Sequence, residues 1–231
     1  MFKFLSIVAC GTWLALLAGC SSTSADTRVA VVVELPRPAT TNDLDLTHAF
    51  VAGAQRYEAV RGLQRKYFVF SDDTVGGVYL WENQDAANNF FSDDWKTRME
   101  TTFGNPATLT WFEVVSEVEG MSYEDAGSGA VVSVVRVSAP WYAPRGIIRD
   151  RMIEAMPEYT SIDGLDYKYF TIASERKIGG IYLWESDDAA KEFFNEAWHQ
   201  RIQDRYGEAA DLQFFYAPVT VLNGQASQKD R

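Results

Sequence analysis

The sequence predicts an α+β fold made of two similar βαββαβ units, each about 100 residues long and so of ordinary domain size. Three observations predict it. First, Gly76-Gly77-Val78-Tyr79-Leu80-Trp81-Glu82 returns as Gly179-Gly180-Ile181-Tyr182-Leu183-Trp184-Glu185, with one change. Second, the frame around each copy recurs. Gly62-Leu63 and Lys66-Tyr67-Phe68 precede the first copy, and Gly164-Leu165 and Lys168-Tyr169-Phe170 precede the second. Asp85-Ala86-Ala87, Phe90-Phe91, Trp95 and Gly104 follow the first, and Asp188-Ala189-Ala190, Phe193-Phe194, Trp198 and Gly207 the second. Third, hydrophobic periodicity in each copy reads strand, helix, two strands, helix, strand. A spacing this long is too large for a solenoid repeat.

The elements follow in order. Val29 to Leu35 and Val131 to Val137 are almost continuous apolar runs, as expected of strands buried on both faces. Pro38 and Pro140 close them. In the first unit a helix follows the capping-type residues Thr41, Asn42 and Asp43, with Phe50, Ala54 and Tyr57 at helical spacing. In the second, Pro144 suits a first turn, Ile148, Met152, Ala155 and Tyr159 keep the spacing, and Pro157 kinks or ends the helix. A hairpin joins Lys66–Phe70 to Val78–Trp81, and its counterpart joins Lys168–Ile172 to Ile181–Trp184, with one extra residue in the second loop. Each Gly-Gly pair is expected to allow a bulge or positive φ. One helix then runs from a cap at Asn83 or Ser186 to a stop at Gly104 or Gly207. Leu109–Val115 and Leu212–Leu222 are the last strands, and Pro218 marks an edge or a bulge in the second.

This is the ferredoxin-like split βαβ plan, written twice. Strand-Lys-aromatic, polar loop, Gly-Gly-Ile-Tyr-Leu-aromatic and an Ala-containing helix resemble the small mono-oxygenase-like proteins of the dimeric α/β-barrel superfamily. The resemblance covers both units. It implies that the tandem ferredoxin-like units pack sheet to sheet as an intramolecular dimeric α/β barrel, a pseudo-dimer within one chain. It says little about activity, because a fold shared by oxygenases, isomerases, haem proteins and inactive binders does not define one.

The first nineteen residues read as a signal peptide: Lys3, an apolar stretch from Leu5 to Leu17, and small residues before Cys20. Leu17-Ala18-Gly19-Cys20 resembles the lipobox of bacterial lipoproteins, which implies acylation of Cys20 and a membrane anchor. Ser21, where an Asp would signal retention, implies the outer membrane, facing the periplasm. Residues 20–27 are then a tether, 28–119 the first unit, 120–129 a linker, 130–222 the second unit and 223–231 a polar tail. Cys10 would leave with the peptide, so no disulfide framework is expected. A net charge of −11 argues against nucleic acid and anionic surfaces as electrostatic partners.

Pairing Phe70 with Gly77 would place Lys66, Phe68, Tyr79 and Trp81 on one face, and Tyr67, Val69, Val78 and Leu80 on the other. The second unit groups Lys168, Phe170, Tyr182 and Trp184 in the same way. If the aliphatic face lies under the helices, the Lys-aromatic face lines the space between sheets. Lys66, Tyr79, Trp81, Lys168, Tyr182 and Trp184 could then hold a small apolar or aromatic anion. The alternative is structural: each Lys stacks on its neighbours and the rings are core. Arg98 and Arg201 read as anion-binding or as helix-rim ion pairs. His48 and His199 are unrepeated and read as solvated, with haem ligation by His199 an analogy to haem-binding relatives. No metal motif, phosphate loop or nucleophile elbow is recognisable, and no cofactor is expected. Two functions remain open: a small-molecule-binding or interaction module, and a cofactor-independent mono-oxygenase acting on an aromatic or enolisable molecule.

Overall fold

The computed structural model describes residues 27–120 and 130–223. The expected signal peptide, Cys20, most of the tether, the linker from 121 and the tail from 224 lie outside the described residues. The strands are β1 (Val29–Pro36), β2 (Leu63–Phe70), β3 (Thr74–Trp81), β4 (Thr108–Glu119), β5 (Ala130–Ser138), β6 (Leu165–Ala173), β7 (Lys177–Trp184) and β8 (Asp211–Leu222). The helices are α1 (Asp43–Ala54), α2 (Gln84–Phe90), α3 (Asp93–Phe103), α4 (Arg145–Glu154), α5 (Asp187–Phe193) and α6 (Glu196–Tyr206).

All eight strands join one closed barrel in the order β1-β3-β2-β8-β5-β7-β6-β4. Each half contributes the ferredoxin-like order, β4-β1-β3-β2 or β8-β5-β7-β6, and every neighbouring pair is antiparallel. The two seams, β2 with β8 and β4 with β6, are hydrogen-bonded ladders, so neither half leaves an unpaired edge. Register also repeats: Val29 pairs with Trp81 and Val131 with Trp184.

Pro218 sits at a bulge and not at an edge. The β8 register slips between the partners of Phe68 and Phe70, and β4 slips at the equivalent place, between Val114 and Ser116. A residue that bulges out of the ladder need not donate an N–H, which is what proline requires.

The Gly-Gly pairs adopt no positive φ. Their reason is close approach. A Cβ on Gly76 would lie 1.8 Å from the Val33 carbonyl oxygen, and one on Gly179 would lie 1.9 Å from that of Val135. A Cβ on Gly77 would meet the Tyr79 ring at 2.9 Å and the Lys66 stem at 3.3 Å. The first glycine lets β1 or β5 close on the hairpin, and the second leaves room for the buried lysine.

The single long helix expected after each hairpin is two helices. Phe91 and Phe194 break out of helical geometry at ψ 43° and 42°. Ser92 and Asn195 then cap a second helix, accepting from the backbone N–H of Trp95 and Trp198. The break turns Phe91 and Trp95 together onto the sheet, with rings 5.0 Å apart and edge to face.

The core has three layers. Inside the barrel, residues of both halves meet, among them Val32, Val69, Leu80, Val134, Ile181 and Phe215. Outside it, α2 and α3 cover β1 and β3 in one half, and α5 and α6 cover β5 and β7 in the other. Each first helix crosses a seam: α1 lies on β8 and α4 on β4.

Candidate functional site

The face grouping holds, although the hairpin is tighter than expected. Lys66 pairs with Tyr79 and Phe68 with Gly77, two residues from the anticipated register. A shift of two keeps every side chain on its face, whereas a shift of one would not. The faces themselves are reversed. Tyr67, Val69, Val78 and Leu80 point into the barrel. Tyr79 and Trp81 lie under α2 and α3, and Tyr182 and Trp184 under α5 and α6. The physical reason is the partner set. The Lys66 amine and the Trp81 indole find Tyr57, Phe90 and Phe91 on the helical side, whereas the interior is already filled by Tyr67, Tyr169, Phe112 and Phe215 with valines and leucines.

Each lysine therefore sits in an aromatic cage. The Lys66 amine is 3.2 Å from the Tyr57 ring centroid, 3.6 Å from that of Phe68 and 4.7 Å from that of Tyr79. Lys168 repeats this at 3.1 Å from Tyr159, 3.9 Å from Phe170 and 4.6 Å from Tyr182. Both are 2% exposed. Burial pushes both amines well below the ordinary lysine value; nearby Arg56 adds to this for Lys66, and Glu158 opposes it for Lys168. Burial likewise raises the Tyr79 and Tyr182 hydroxyls, with the neighbouring Tyr57 and Tyr159 acting the same way. The six residues singled out from sequence thus fall into two equivalent clusters, one in each half, with the barrel wall between them. Trp81 and Trp184 are fully buried.

Where the halves differ is more informative. Position 34 is Glu and its counterpart 136 is Arg; position 65 is Arg and its counterpart 167 is Tyr. These mismatches meet inside the barrel. At one end Gln213 bridges them, donating to Glu34 and accepting from Arg136, both at 3.3 Å, and Arg136 also pairs with Asp211 at 2.6 Å. Burial raises the Glu34 carboxyl, with Arg136 acting against it. At the other end the Arg65 guanidinium lies 3.9 Å over the Tyr167 ring. Tyr167 donates to Glu119 at 2.8 Å, and the Tyr67 and Tyr169 hydroxyls meet at 3.2 Å.

A cavity of about 490 Å³ opens at this second end. Arg28, Arg65, Leu80, Glu82, Glu117 and Asn223 are among its walls. Arg28 pairs with Glu117 at 2.8 Å. Asn223 donates from Nδ2 to the Tyr57 carbonyl at 2.6 Å, and its buried Oδ1 has no partner. Sequence reasoning missed this site. The available signal was the set of positions where otherwise similar copies disagree: Arg28 against Ala130, Arg65 against Tyr167, Glu117 against Thr220.

The remaining candidates are peripheral. Arg98, Arg201 and His48 are exposed, and His199 packs its ring 5.1 Å from Trp198. Among the described residues no group of three His, Cys, Asp or Glu could hold a metal ion, and no helix is long and apolar enough to cross a membrane.

No family model matches this sequence, and no curated protein matches it as a relative. Solved structures do. A candidate monooxygenase of Fusobacterium nucleatum aligns at TM-score 0.59 and 9% identity, over 87% of this chain and 96% of its own. One from Lactobacillus acidophilus aligns at 0.56 and 11%, over 85% and 96%. An anthrone oxidase-like protein aligns at 0.55 and 12%, over 85% and 93%. At such identities the likeness speaks for architecture alone: this chain has the α+β ferredoxin-like fold of monooxygenase-like proteins.

Proposed function

We propose that the chain is a lipid-anchored bacterial envelope protein whose doubled ferredoxin-like domain, an intramolecular counterpart of the dimeric α/β barrel, binds a small molecule at one barrel mouth. The observation that carries this is the contrast between two spaces. The sheet–helix layer is filled alike in both halves, with Trp81 and Trp184 at 0% exposure. The mouth cavity is open, occurs beside the mismatched residues, and at about 490 Å³ falls in the size range of small-ligand sites. Its walls carry both charge signs, Arg28 and Arg65 against Glu82 and Glu117. They suit a compact polar ligand. The lipobox-like residues before Cys20 support the envelope address, and the polar tether supports anchoring at a distance.

Native mass spectrometry of the full chain, extracted from its host in mild detergent, tests the binding. The expected result is one small-molecule adduct per chain, lost in Leu222→Trp, which fills the cavity, and in Arg65→Ala. An adduct that survives both substitutions, or no adduct from any extract, refutes the site.

The second reading is a cofactor-independent mono-oxygenase, and one observation favours it. Each lysine is an amine whose burial favours the neutral form, beside a phenol pair, a setting in which it could take a proton from an enolisable carbon. Lys66 with Tyr79, or Lys168 with Tyr182, would act once a substrate displaced the surrounding rings. Oxygen uptake with anthrone-type substrates, lost in Lys66→Met/Lys168→Met, would establish it; no uptake removes it.

A further inference from the structure

The loop between β5 and α4 presents two large aromatic side chains to solvent. Trp141 is 88% exposed and Tyr142 70%. Their rings pack edge to face at 5.7 Å, and Pro140 and Pro144 flank them. The first half carries Ala39 and Thr40 at these places, so the fold does not require the aromatics.

The knob is held firmly. Arg176 donates to the carbonyls on both sides of it, Pro140 at 2.9 Å and Ala143 at 2.7 Å. The backbone N–H of Ala139 donates to the Arg176 carbonyl at 2.9 Å. To do this the hairpin uses its extra residue and places Glu175 and Arg176 at φ 54° and 59°, left-handed conformations that cost roughly 1–3 kcal/mol each for residues with a Cβ. The first half achieves the same tie without strain, through Arg37 to the Thr41 and Ser71 carbonyls. Next to the knob, α4 exposes Ile147 at 51% and Ile153 at 49%, while its Arg145 and Arg149 pair with Glu113 and its Arg151 with Glu154. A Trp–Tyr pair beside exposed aliphatics on a rigid support is the composition that settles at the boundary between lipid headgroups and acyl chains.

We propose that Trp141, Tyr142 and the outer face of α4 form a second, non-covalent contact with the lipid surface to which the N-terminus is anchored. The inference rests on the envelope reading of residues 1–27. Residue 27 enters β1 at the mouth-cavity end, and the knob follows β5 at the opposite end. Strands of this length, tilted as in a barrel, rise roughly 20–25 Å. Seven residues of tether from Cys20 span at most about 25 Å. Anchor and knob can therefore touch one bilayer together when the barrel lies on its side. The cavity then opens along the membrane plane and stays accessible to solutes.

The test uses the full chain reconstituted through its N-terminus into phosphatidylcholine vesicles with brominated acyl chains. The mass of the N-terminal peptide reports acylation separately. Trp81, Trp95, Trp184 and Trp198 are at most 6% exposed, Trp111 is half-buried, and Trp13 would leave with the signal peptide, so the share of bromine quenching that Trp141→Phe removes reports Trp141. The expected result is clear quenching in the native chain that is largely lost in Trp141→Phe. Trp141→Ser/Tyr142→Ser should keep its melting temperature and stay with the vesicles, yet lose the quenching. Quenching that is absent, or unchanged in Trp141→Phe, overturns the proposal, as does a photocrosslinker at position 142 that captures protein instead of lipid. If the N-terminal peptide carries no acyl mass, the anchor reading fails by itself. The same vesicles are then added to the unanchored chain, where Trp141-dependent quenching sustains the contact and its absence overturns it.

Discussion

Ser133→Val is the most discriminating substitution, because the other half of the molecule already contains its outcome. The Trp184 indole donates to Ser133 Oγ at 2.7 Å, and both residues are 0% exposed. At the equivalent place in the first half stands Val31, also 0% exposed, and the Trp81 indole nitrogen is buried without a partner. Val fits beside this tryptophan, so Ser133→Val adds no overpacking. It strands one buried N–H, at a cost of about 1–3 kcal/mol. It also buries further apolar carbon, worth about 0.8 kcal/mol per methylene-sized group. The net expectation is a loss of roughly 1 kcal/mol, and Val31→Ser should come out near neutral as a new hydrogen bond offsets lost methyls. Urea unfolding followed by tryptophan emission reads both. With a urea slope of about 1–3 kcal/mol/M, the Ser133→Val midpoint should fall by some tenths molar at unchanged slope. A single transition is expected, since the β2–β8 and β4–β6 seams tie the halves together. If Ser133→Val stabilises the protein, or Val31→Ser destabilises it as much as Ser133→Val does, the stranded indole is not the governing term.

Gly76→Ala and Gly179→Ala should each cost about 3 kcal/mol or more, because the new Cβ would overlap a carbonyl oxygen on the neighbouring strand. Gly104→Ala meets nothing within 4 Å and strains only φ +73°, so its stability should fall by about 1 kcal/mol. Lys66→Met and Lys168→Met should raise stability at pH 7, by roughly 1–3 kcal/mol for each polar head removed from the core. Both folded-state amines lie below the unfolded value near 10.4, so the unfolded chain binds more protons in between. Native stability should therefore rise with pH up to about 10 and be lost as pH falls, and the Met variants should flatten that slope. Asp166 has the opposite sign. Burial, reinforced by Glu185, pushes its carboxyl up to about 6. Its share of stability is present at low pH and lost as pH rises from about 4 to 6, and Asp166→Asn should remove that decline in a pH-dependent melting series.

Much of this architecture was legible from residues alone. The doubled motif announced two like halves, and the glycine stops and capping side chains marked helix ends. Strict alternation grouped Lys66 with Phe68, Tyr79 and Trp81 despite a register read two residues out. Capping by Ser92 and Asn195 was visible in principle, but the apolar run through Phe90, Phe91 and Trp95 masked the break between helices. The Gly-Gly pairs were recognisable as special, and only the approach of Val33 and Val135 showed why.

Tertiary structure decided which face of each strand went inward. Alternation tells that side chains share a face, and here both faces are apolar, so pattern gave no preference. The partners on each side settled it: Tyr67, Tyr169, Phe112 and Phe215 interlock with valines and leucines inside the barrel, while the indoles and caged lysines pack against rings from the helical layer. The mouth cavity likewise belongs to the closed barrel, since Leu222 and Asn223 stand in its walls beside Arg65, which the β2–β8 seam brings to Leu222 from far along the chain. Local sequence carries no term for such an encounter; it exists only once that seam has closed.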